Sequence, residues 1–321
     1  MNPHPPASDN APRLSVIVVS YKCLEVLREC LDSLFDTGEQ LQIVVVDNAS
    51  GDGTSEALRH EYPEVTLIEN RENVGFPAAN NQGLEIVEAD SVLLLNPDTI
   101  VTEGAVQTLL AFLEGDVRPK IAGPMIFNTD GSLQDSVHRT IPRPLRFVGE
   151  QIGILRIASY AESADPSELP VERAPALVGW VSGAALAFNR DVIALIGNLD
   201  ERMFWAEDLD FCYRAQTAGI PVYYLPGARI IHHCGESGKK NYRRMIGAQY
   251  SSRVQFAKKH FGRLTELTLR AAFGIMLPVK MGIRVIQLPL SASRAEKLDR
   301  LAGYWDAWMS CLPRRLAGRR V

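Results

Sequence analysis

The chain predicts an α/β fold on a parallel sheet, from two observations. Short apolar runs rich in Val and Ile recur along the first part of the chain, and between them apolar residues recur at helical spacing. A third observation points to a use for that fold. Three acidic stations, Asp47, Asn96-Pro97-Asp98 and Glu207-Asp208, stand where apolar runs stop or where a helix is expected to start. Ligands of such sheets sit beyond the C-terminal strand ends.

Leu14 to Ser20 reads as a buried strand, and Leu24, Leu27, Leu31 and Leu34 place an apolar stripe on the helix after it. Strands at about 42–47, 65–69, 91–95 and 120–125 then alternate with helices at about 53–60, 77–88 and 103–114. Regularity stops after that. The segment 128–175, with Thr140-Ile141-Pro142-Arg143-Pro144 and Ser163 to Pro170, carries no clean period and is expected to be a lid or specificity segment. Val178 to Phe188 is an apolar, small-residue stretch, followed by a helix near 191–196. A helix from Glu207 to Ala218 is closed by Gly219 and Pro221, a strand at Ala228 to His232 follows, and the chain is mainly helical from Tyr242. Pro278 and Pro289 are expected to bend or end the tail helices.

With 321 residues, 46% of them hydrophobic, the chain has ample material for a packed core. A net charge of −4 excludes a surface adapted as a whole to nucleic acid, so no nucleic-acid partner is expected. The charge is uneven: from Arg263 to Val321 eleven Lys or Arg stand against four Asp or Glu, a net +7, so the preceding part carries −11. The five cysteines lack CxxC spacing, which fits a reducing compartment better than a disulfide framework or a zinc site. Residues 1–12 are polar and Pro-rich without the build of a secretory signal, and are expected to be a disordered leader.

Leu267 to Leu290 is apolar, but Arg270, Lys280 and Arg284 interrupt it, so a spanning helix is not expected. Basic charge beside an apolar helix suits attachment to an anionic membrane surface; the competing reading is a helical cap with its basic residues in solvent.

Each station has a structural and a functional reading. Asp47, with Asn48, Ser50 and Gly51, makes a good Asx-turn, yet a strand-end carboxylate also suits a nucleoside, and Ser20-Tyr21 offers a hydroxyl and a ring at the neighbouring strand end. Asn96 and Asp98 are two apart and share a face in extended chain, where hard oxygen ligands suit Mg²⁺ or Mn²⁺ with a diphosphate; Asn-Pro-Asp-Thr is also good turn chemistry. Glu207-Asp208 suits the first turn of a helix for its macrodipole, which would keep the carboxylates ionised, and it also suits a general base beside the apolar wall Met203-Phe204-Trp205. His232 and His233 point to opposite sides of a strand, so one of them can face a cation beginning at Asp98. The loop Cys234 to Lys240 is glycine-bearing and basic, suited to phosphate, without P-loop spacing.

Taken in order, these segments resemble the family 2 glycosyltransferases of GT-A fold, and most closely their rhamnosyltransferase-like branch. The resemblance runs over about 14–260 and rests on Ser15 to Tyr21, Val45 to Ser50, Asn73-Val74-Gly75-Phe76 with Asn80 to Gly83, Leu94 to Thr99, Val181 to Ala184, Glu207 to Asp210 and His232 to Ser237. It implies a Rossmann-like nucleotide-binding sheet flanked by helices, over 13–262, with a donor half at about 13–127, an acceptor half at about 128–262, and a basic helical tail at 263–321. Asp47 would hold the nucleobase or ribose, with Ser20, Tyr21, Asn48, Asn73, Gly75, Asn80 and Asn96 around the donor. Asp98 would be the principal metal ligand, in the last position of the DxD motif, with Asn96 departing from the strict form; His232 fits the metal-binding histidine, with His233 as the rival. Asp208 would be the general base, Glu207 its neighbour, and Trp180, Gly183 and Trp205 would line the acceptor site.

The activity so implied is an inverting transfer from a nucleoside-diphosphate sugar, dTDP-rhamnose favoured, to a hydroxyl of a lipid-linked or polysaccharide acceptor in bacterial surface glycan synthesis. It places the chain in the cytoplasm, at the inner face of the membrane. Related transferases using UDP-galactose or UDP-glucose are the alternative within the class, and a catalytically silent sugar-nucleotide-binding scaffold is the alternative outside it.

Overall fold

The computed structural model describes residues 11–151, 174–233, 242–286 and 294–312. The leader at 1–10, residues 152–173 of the expected lid, the loop Cys234 to Lys240 and Pro289 lie outside the described residues.

Strands β1 (Leu14–Ser20), β2 (Leu41–Asp47), β3 (Thr66–Glu69) and β4 (Ser91–Leu95) pair in parallel in the order β3-β2-β1-β4, connected by α1 (Leu24–Phe35), α2 (Thr54–Glu61) and α3 (Phe76–Leu84). Helices on both faces bury β1 completely, which is why its sequence runs apolar rather than alternating. Val16 and Val18 join Leu27, Leu31 and Leu34 of α1 on one face. Ile17 and Val19 join Ala79 and Leu84 of α3 on the other. Helix α3 stops at Leu84, short of the expected 88. The N–H groups of Glu88 and Ala89 donate instead to Ser15 Oγ and Gln42 Oε1, at 2.8 to 3.2 Å, a competition between side chain and helix that periodicity does not register.

The chain continues through β5 (Thr99–Val101), α4 (Ala105–Glu114), β6 (Ile121–Phe127), β7 (Val137–His138), α5 (Pro144–Gln151), β8 (Ala176–Leu177), β9 (Trp180–Val181), β10 (Ala185–Asn189), α6 (Asp191–Ile196), α7 (Glu207–Thr217), β11 (Val222–His232), α8 (Tyr242–Ile286) and α9 (Arg294–Cys311). The sheet extends as β4-β10-β6-β11-β5. Strand β10 runs antiparallel to both β4 and β6, so the sheet is mixed: the expectation of a parallel sheet holds throughout β3-β2-β1-β4 and again for the pair β6-β11, but not for β10 or β5. Strand β11 is longer than expected, beginning at Val222, and its register on β6 shifts between Leu225 and Arg229, where Pro226-Gly227 interrupts the ladder.

Helix α8 breaks at Gly262, whose φ of 83° and ψ of 179° no helix accommodates, and resumes through Ile286. Pro278 lies inside that second part without ending it. Proline deprives the carbonyl four residues earlier, Gly274 O, of its helical donor. Trp308 of α9 supplies the missing partner, its Nε1–H donating to Gly274 O at 3.0 Å. Both helices share a third core with the catalytic sheet's helices: Leu269, Phe273, Leu277, Ala307 and Cys311 lie in one cluster with Phe147, Met203, Leu209 and Phe256.

Replacing Trp308 by Phe keeps the ring and orphans Gly274 O. The expected cost is about 1 kcal/mol, read as a lower urea midpoint at unchanged m-value; an unchanged midpoint would show that Pro278 is tolerated for another reason.

Candidate active site

The donor stations are set side by side by strand register. Ser20 pairs with Asp47 across β1 and β2, and Val18 with Leu95 across β1 and β4, so Ser20-Tyr21, Asp47-Asn48 and Asn96-Pro97-Asp98 emerge at neighbouring points on one sheet edge. Asp47 makes the Asx-turn: Oδ1 accepts from Ser50 N–H at 3.0 Å and Oδ2 from Ser55 Oγ–H at 2.6 Å. Each carboxylate oxygen keeps a second acceptor site, so the turn reading and the nucleoside reading are compatible. Asn48 links outward, its Nδ2 donating to Asn73 Oδ1 at 3.2 Å and its Oδ1 accepting from Val74 N–H at 3.0 Å. Asn73 Oδ1 also accepts from Gly75 N–H at 3.0 Å, and Gly75, with φ of 94°, turns the chain into α3. Asn80 is buried in that helix, donating back to Phe76 O at 2.9 Å.

Asp98 and His232 meet because β5 runs antiparallel to the end of β11 with Thr99 opposite His232. His232 Nε2 lies 3.1 Å from Asp98 Oδ1 and 3.3 Å from Asn96 Nδ2. The neighbouring His233 turns away, towards Glu29, with 3.4 Å between Nε2 and Oε2. The geometry therefore separates the two histidines that the sequence left as rivals.

Gln134 had no motif to mark it. Its Oε1 lies 2.8 Å from His232 Nδ1, and its own Nε2–H donates to Asn128 Oδ1 at 3.0 Å, which orients the amide. An acceptor at Nδ1 keeps the proton on that nitrogen and leaves the Nε2 lone pair facing the Asp98 carboxylate, an arrangement that a cation between the two would complete. Among the described residues no three His, Cys, Asp or Glu side chains converge as a metal-binding group; around His232 Nε2 stand one carboxylate oxygen, of Asp98, and one amide nitrogen, of Asn96.

Glu207 and Asp208 open α7. Asp208 Oδ2 accepts from Gly183 N–H at 2.8 Å and Oδ1 from Leu209 N–H at 2.7 Å. Gly183 thus grips Asp208 through its backbone, and a Cβ there would stand 3.4 Å from Asp208 Cβ. Burial pushes the Asp208 carboxyl up, opposed by those two N–H groups. Glu207 goes further: burial, then the Asp208 charge, pushes it up to about 8, and its Oε2 is buried without a hydrogen-bond partner. At both carboxyls burial opposes the helix dipole expected to keep them ionised, and at Glu207 it outweighs the dipole, so Glu207 holds its proton more tightly than a solvated carboxyl does.

Two residues on, the fully buried Asp210 anchors the same helix. Burial would raise its carboxyl, but His260 Nε2–H at 2.7 Å, Lys259 Nζ at 2.8 Å and Arg214 Nε at 2.8 Å outweigh burial and hold it below the usual carboxylate range. The expected wall divides: Met203 is buried in the third core, whereas Trp205 is 46% exposed. Trp180 is half-buried, its ring stacked on His138 at 3.8 Å. Among the described residues three non-glycines have left-handed backbone, Lys22, Ala49 and Trp205, with φ of 56°, 62° and 74°. Each adjoins a station: Ser20-Tyr21, Asp47-Asn48 or Glu207-Asp208. Such conformations cost roughly 1–3 kcal/mol each and concentrate where function holds them.

A mixed α/β sheet flanked by helices, with polar residues gathered at the C-terminal ends of β1, β2 and β4 and Asp208 tied to them through Gly183-Ala184, fits a glycosyltransferase of GT-A fold, and the comparisons show that class. Residues 15–157 match the family described as Glycosyl transferase family 2. The N-acetylglucosaminyl-diphospho-decaprenol L-rhamnosyltransferase of Mycobacterium tuberculosis is 30% identical over 272 residues, covering 78% of this chain and 85% of that protein. The rhamnosyltransferase WbbL of Escherichia coli K12 is 24% identical, covering 68% of this chain and 82% of its own. In fold, a mannosyltransferase from Pyrobaculum calidifontis, solved with GDP-Man and Mn²⁺, aligns over 95% of this chain and 89% of its own at a TM-score of 0.51 and 18% identity. GalNAc-T7, solved with UDP, GalNAc and Mn²⁺, aligns over 92% of this chain and 55% of its own at 0.57 and 14% identity. The chain belongs to glycosyl transferase family 2.

The sign of the Glu207 shift makes a stability prediction. A carboxyl whose folded pKa is raised binds a proton that the unfolded chain has lost, so stability falls as pH rises from the ordinary 4.5 to about 8 and then levels. Against Glu207→Gln, the native chain is expected to lose stability across that window in chemical denaturation; parallel curves for the two proteins would contradict the buried, protonated side chain.

Proposed function

We propose that this glycosyltransferase is an inverting, metal-dependent rhamnosyltransferase. It moves the sugar of a nucleoside-diphosphate donor, dTDP-rhamnose, to a hydroxyl of a lipid-linked acceptor at the cytoplasmic membrane face, in bacterial surface glycan assembly. The observation that carries this reading is the convergence of Asp98, Asn96 and His232 at the donor edge, in a chain spanning 85% of a rhamnosyltransferase to which it is 30% identical.

Asp98 and His232 fit Mg²⁺ or Mn²⁺: the Asp98 carboxylate and the Nε2 lone pair of His232 would hold the cation, with diphosphate oxygens completing its shell and Asn96, whose Nδ2 lies 3.3 Å from His232 Nε2, beside them. When bound, the cation supplies positive charge against the departing diphosphate. Asp47 and Asn48 hold the nucleoside in the turn that Ser50 and Ser55 shape, and Asn73, Gly75 and Asn80 line the donor pocket. Asp208, aimed by the Gly183 N–H, takes the proton of the acceptor hydroxyl. The acceptor oxygen bonds to the anomeric carbon as that carbon's bond to the phosphate oxygen breaks, the electron pair leaves with the diphosphate, and configuration inverts. Its raised pKa makes Asp208 a stronger base than a solvated carboxylate. Glu207, protonated at neutral pH, donates to the acceptor rather than competing for its proton, and the exposed ring of Trp205 packs against the acceptor sugar.

Asp208→Asn is expected to bind donor with native affinity by calorimetry and to transfer sugar about 10²–10⁴-fold more slowly; native turnover would reject Asp208 as the base. Thermal shifts with Mn²⁺ and each of dTDP-rhamnose, UDP-galactose and UDP-glucose test the donor. The largest shift is expected with dTDP-rhamnose, and a larger one with a UDP-sugar would overturn that assignment. Gln134→Leu is expected to weaken Mn²⁺ binding about 10–100-fold, read from the electron paramagnetic resonance of free Mn²⁺. Unchanged affinity would show that the Gln134 hydrogen bond does not prepare His232 for metal.

A further inference from the structure

The second part of α8 is apolar on both sides. Its inner face, Leu269, Phe273 and Leu277, is buried in the third core. Its outer face carries Leu264, Leu267, Ile275, Val279, Ile283 and Ile286, between 50% and 80% exposed. Placed at 100° per residue these six stay on the side opposite the core stripe, and Thr268, Ala271, Pro278 and Gly282 fill the same side without adding a charge. The stripe runs about 33 Å at the helical rise. Arg263 stands at its start, and Arg284 falls on the opposite, core side of the helix near its end. Trp305 of α9, 52% exposed, extends the apolar surface beside it, held by ring contact with Trp308, which is itself pinned to Gly274.

A helix apolar all round is a helix meant to be covered on both sides. Two occupants fit an apolar stripe, a second copy of the chain or a lipid surface, and charge separates them. Residues 263–321 carry a net +7, which repels the same region of another copy and draws an anionic surface. Spanning is excluded by the fold, because the inner face is committed to the catalytic core, and among the described residues no helix is long and apolar enough to cross a membrane. Taking the acceptor to be lipid-linked, as proposed, we infer that the outer face of α8, from Leu264 to Ile286, seats the enzyme in the headgroup region of an anionic bilayer, lying in the membrane plane with Trp305 at the interface. Its other side carries α7 through the third core, so the seat and the Glu207-Asp208 pair belong to one packed unit. The surface thereby brings the catalytic carboxylates to lipid-borne acceptors.

Flotation of the full chain with vesicles tests this without donor or acceptor. With equimolar phosphatidylglycerol and phosphatidylcholine the protein is expected to float, with phosphatidylcholine alone to remain largely behind, and added salt to release it. Ile275→Asp with Ile286→Asp is expected to weaken vesicle binding at least about tenfold while donor hydrolysis in solution stays native. Native flotation of the double variant overturns the inference, as does failure of the native chain to bind anionic vesicles. A dimer in sedimentation that the double variant dissociates also overturns it and gives the face to a second copy. Vesicle binding that survives in a preparation inactive on every lipid-linked acceptor sustains the surface and sinks the acceptor reading alone.

Discussion

The short antiparallel pairing of β5 with the end of β11 is the constraint on which the site depends. Three residues, Thr99 to Val101, cross from the donor half to the far edge of the sheet and lie against Ile230 to His232. That register alone brings Asp98 to His232, more than a hundred positions later in the chain, at 3.1 Å. Pro97 lies in the turn between β4 and β5, and Asn96 reaches back to the segment before β10, its N–H donating to Ala184 O at 2.9 Å. Ala184 follows Gly183, whose N–H holds Asp208. Asn96-Pro97-Asp98 and Asp208 are therefore linked by two hydrogen bonds through the backbone of Gly183-Ala184.

Burial and charge then divide the work between the carboxylates. Asp47 takes one hydrogen bond on each oxygen within its turn and keeps a second acceptor site on each, whereas Asp210 is saturated by three cationic or imidazole donors and anchors structure. Glu207 and Asp208 are half-buried with their carboxyls turned inward and one oxygen of Glu207 unpartnered, so their protons are held more tightly. An unpaired buried carboxyl oxygen costs stability unless the group stays neutral, and groups so perturbed concentrate at functional sites. Asp210 offsets part of that strain by fixing the helix that carries the pair to α8.

Much of this was legible in sequence, for a physical reason. Strands buried on both faces must be apolar throughout, so β1, β2 and β4 and the residues that end them stood out, as did the helix that begins at Glu207. What was illegible depends on tertiary partners. Strand β10 is short and alanine-bearing, and its insertion antiparallel between β4 and β6 has no local signature. Pro278 would end a helix whose carbonyl had no other donor, and Trp308 is thirty residues away from it. His232 and His233 are equivalent until β11 is paired. Gln134 acts through one amide oxygen, and Lys22, Ala49 and Trp205 bear left-handed backbone without being glycine, so nothing in their identity announces the strain they carry.

A crystal structure with Mn²⁺ and a nucleoside diphosphate tests the central claim most directly. The account predicts the cation between Asp98 and Nε2 of His232, with Gln134 still on Nδ1, the nucleoside over Asp47, and Asp208 across an open acceptor space from the diphosphate. A cation bound away from His232, or a nucleoside remote from Asp47 with Asp208 turned out of the cleft, would contradict it.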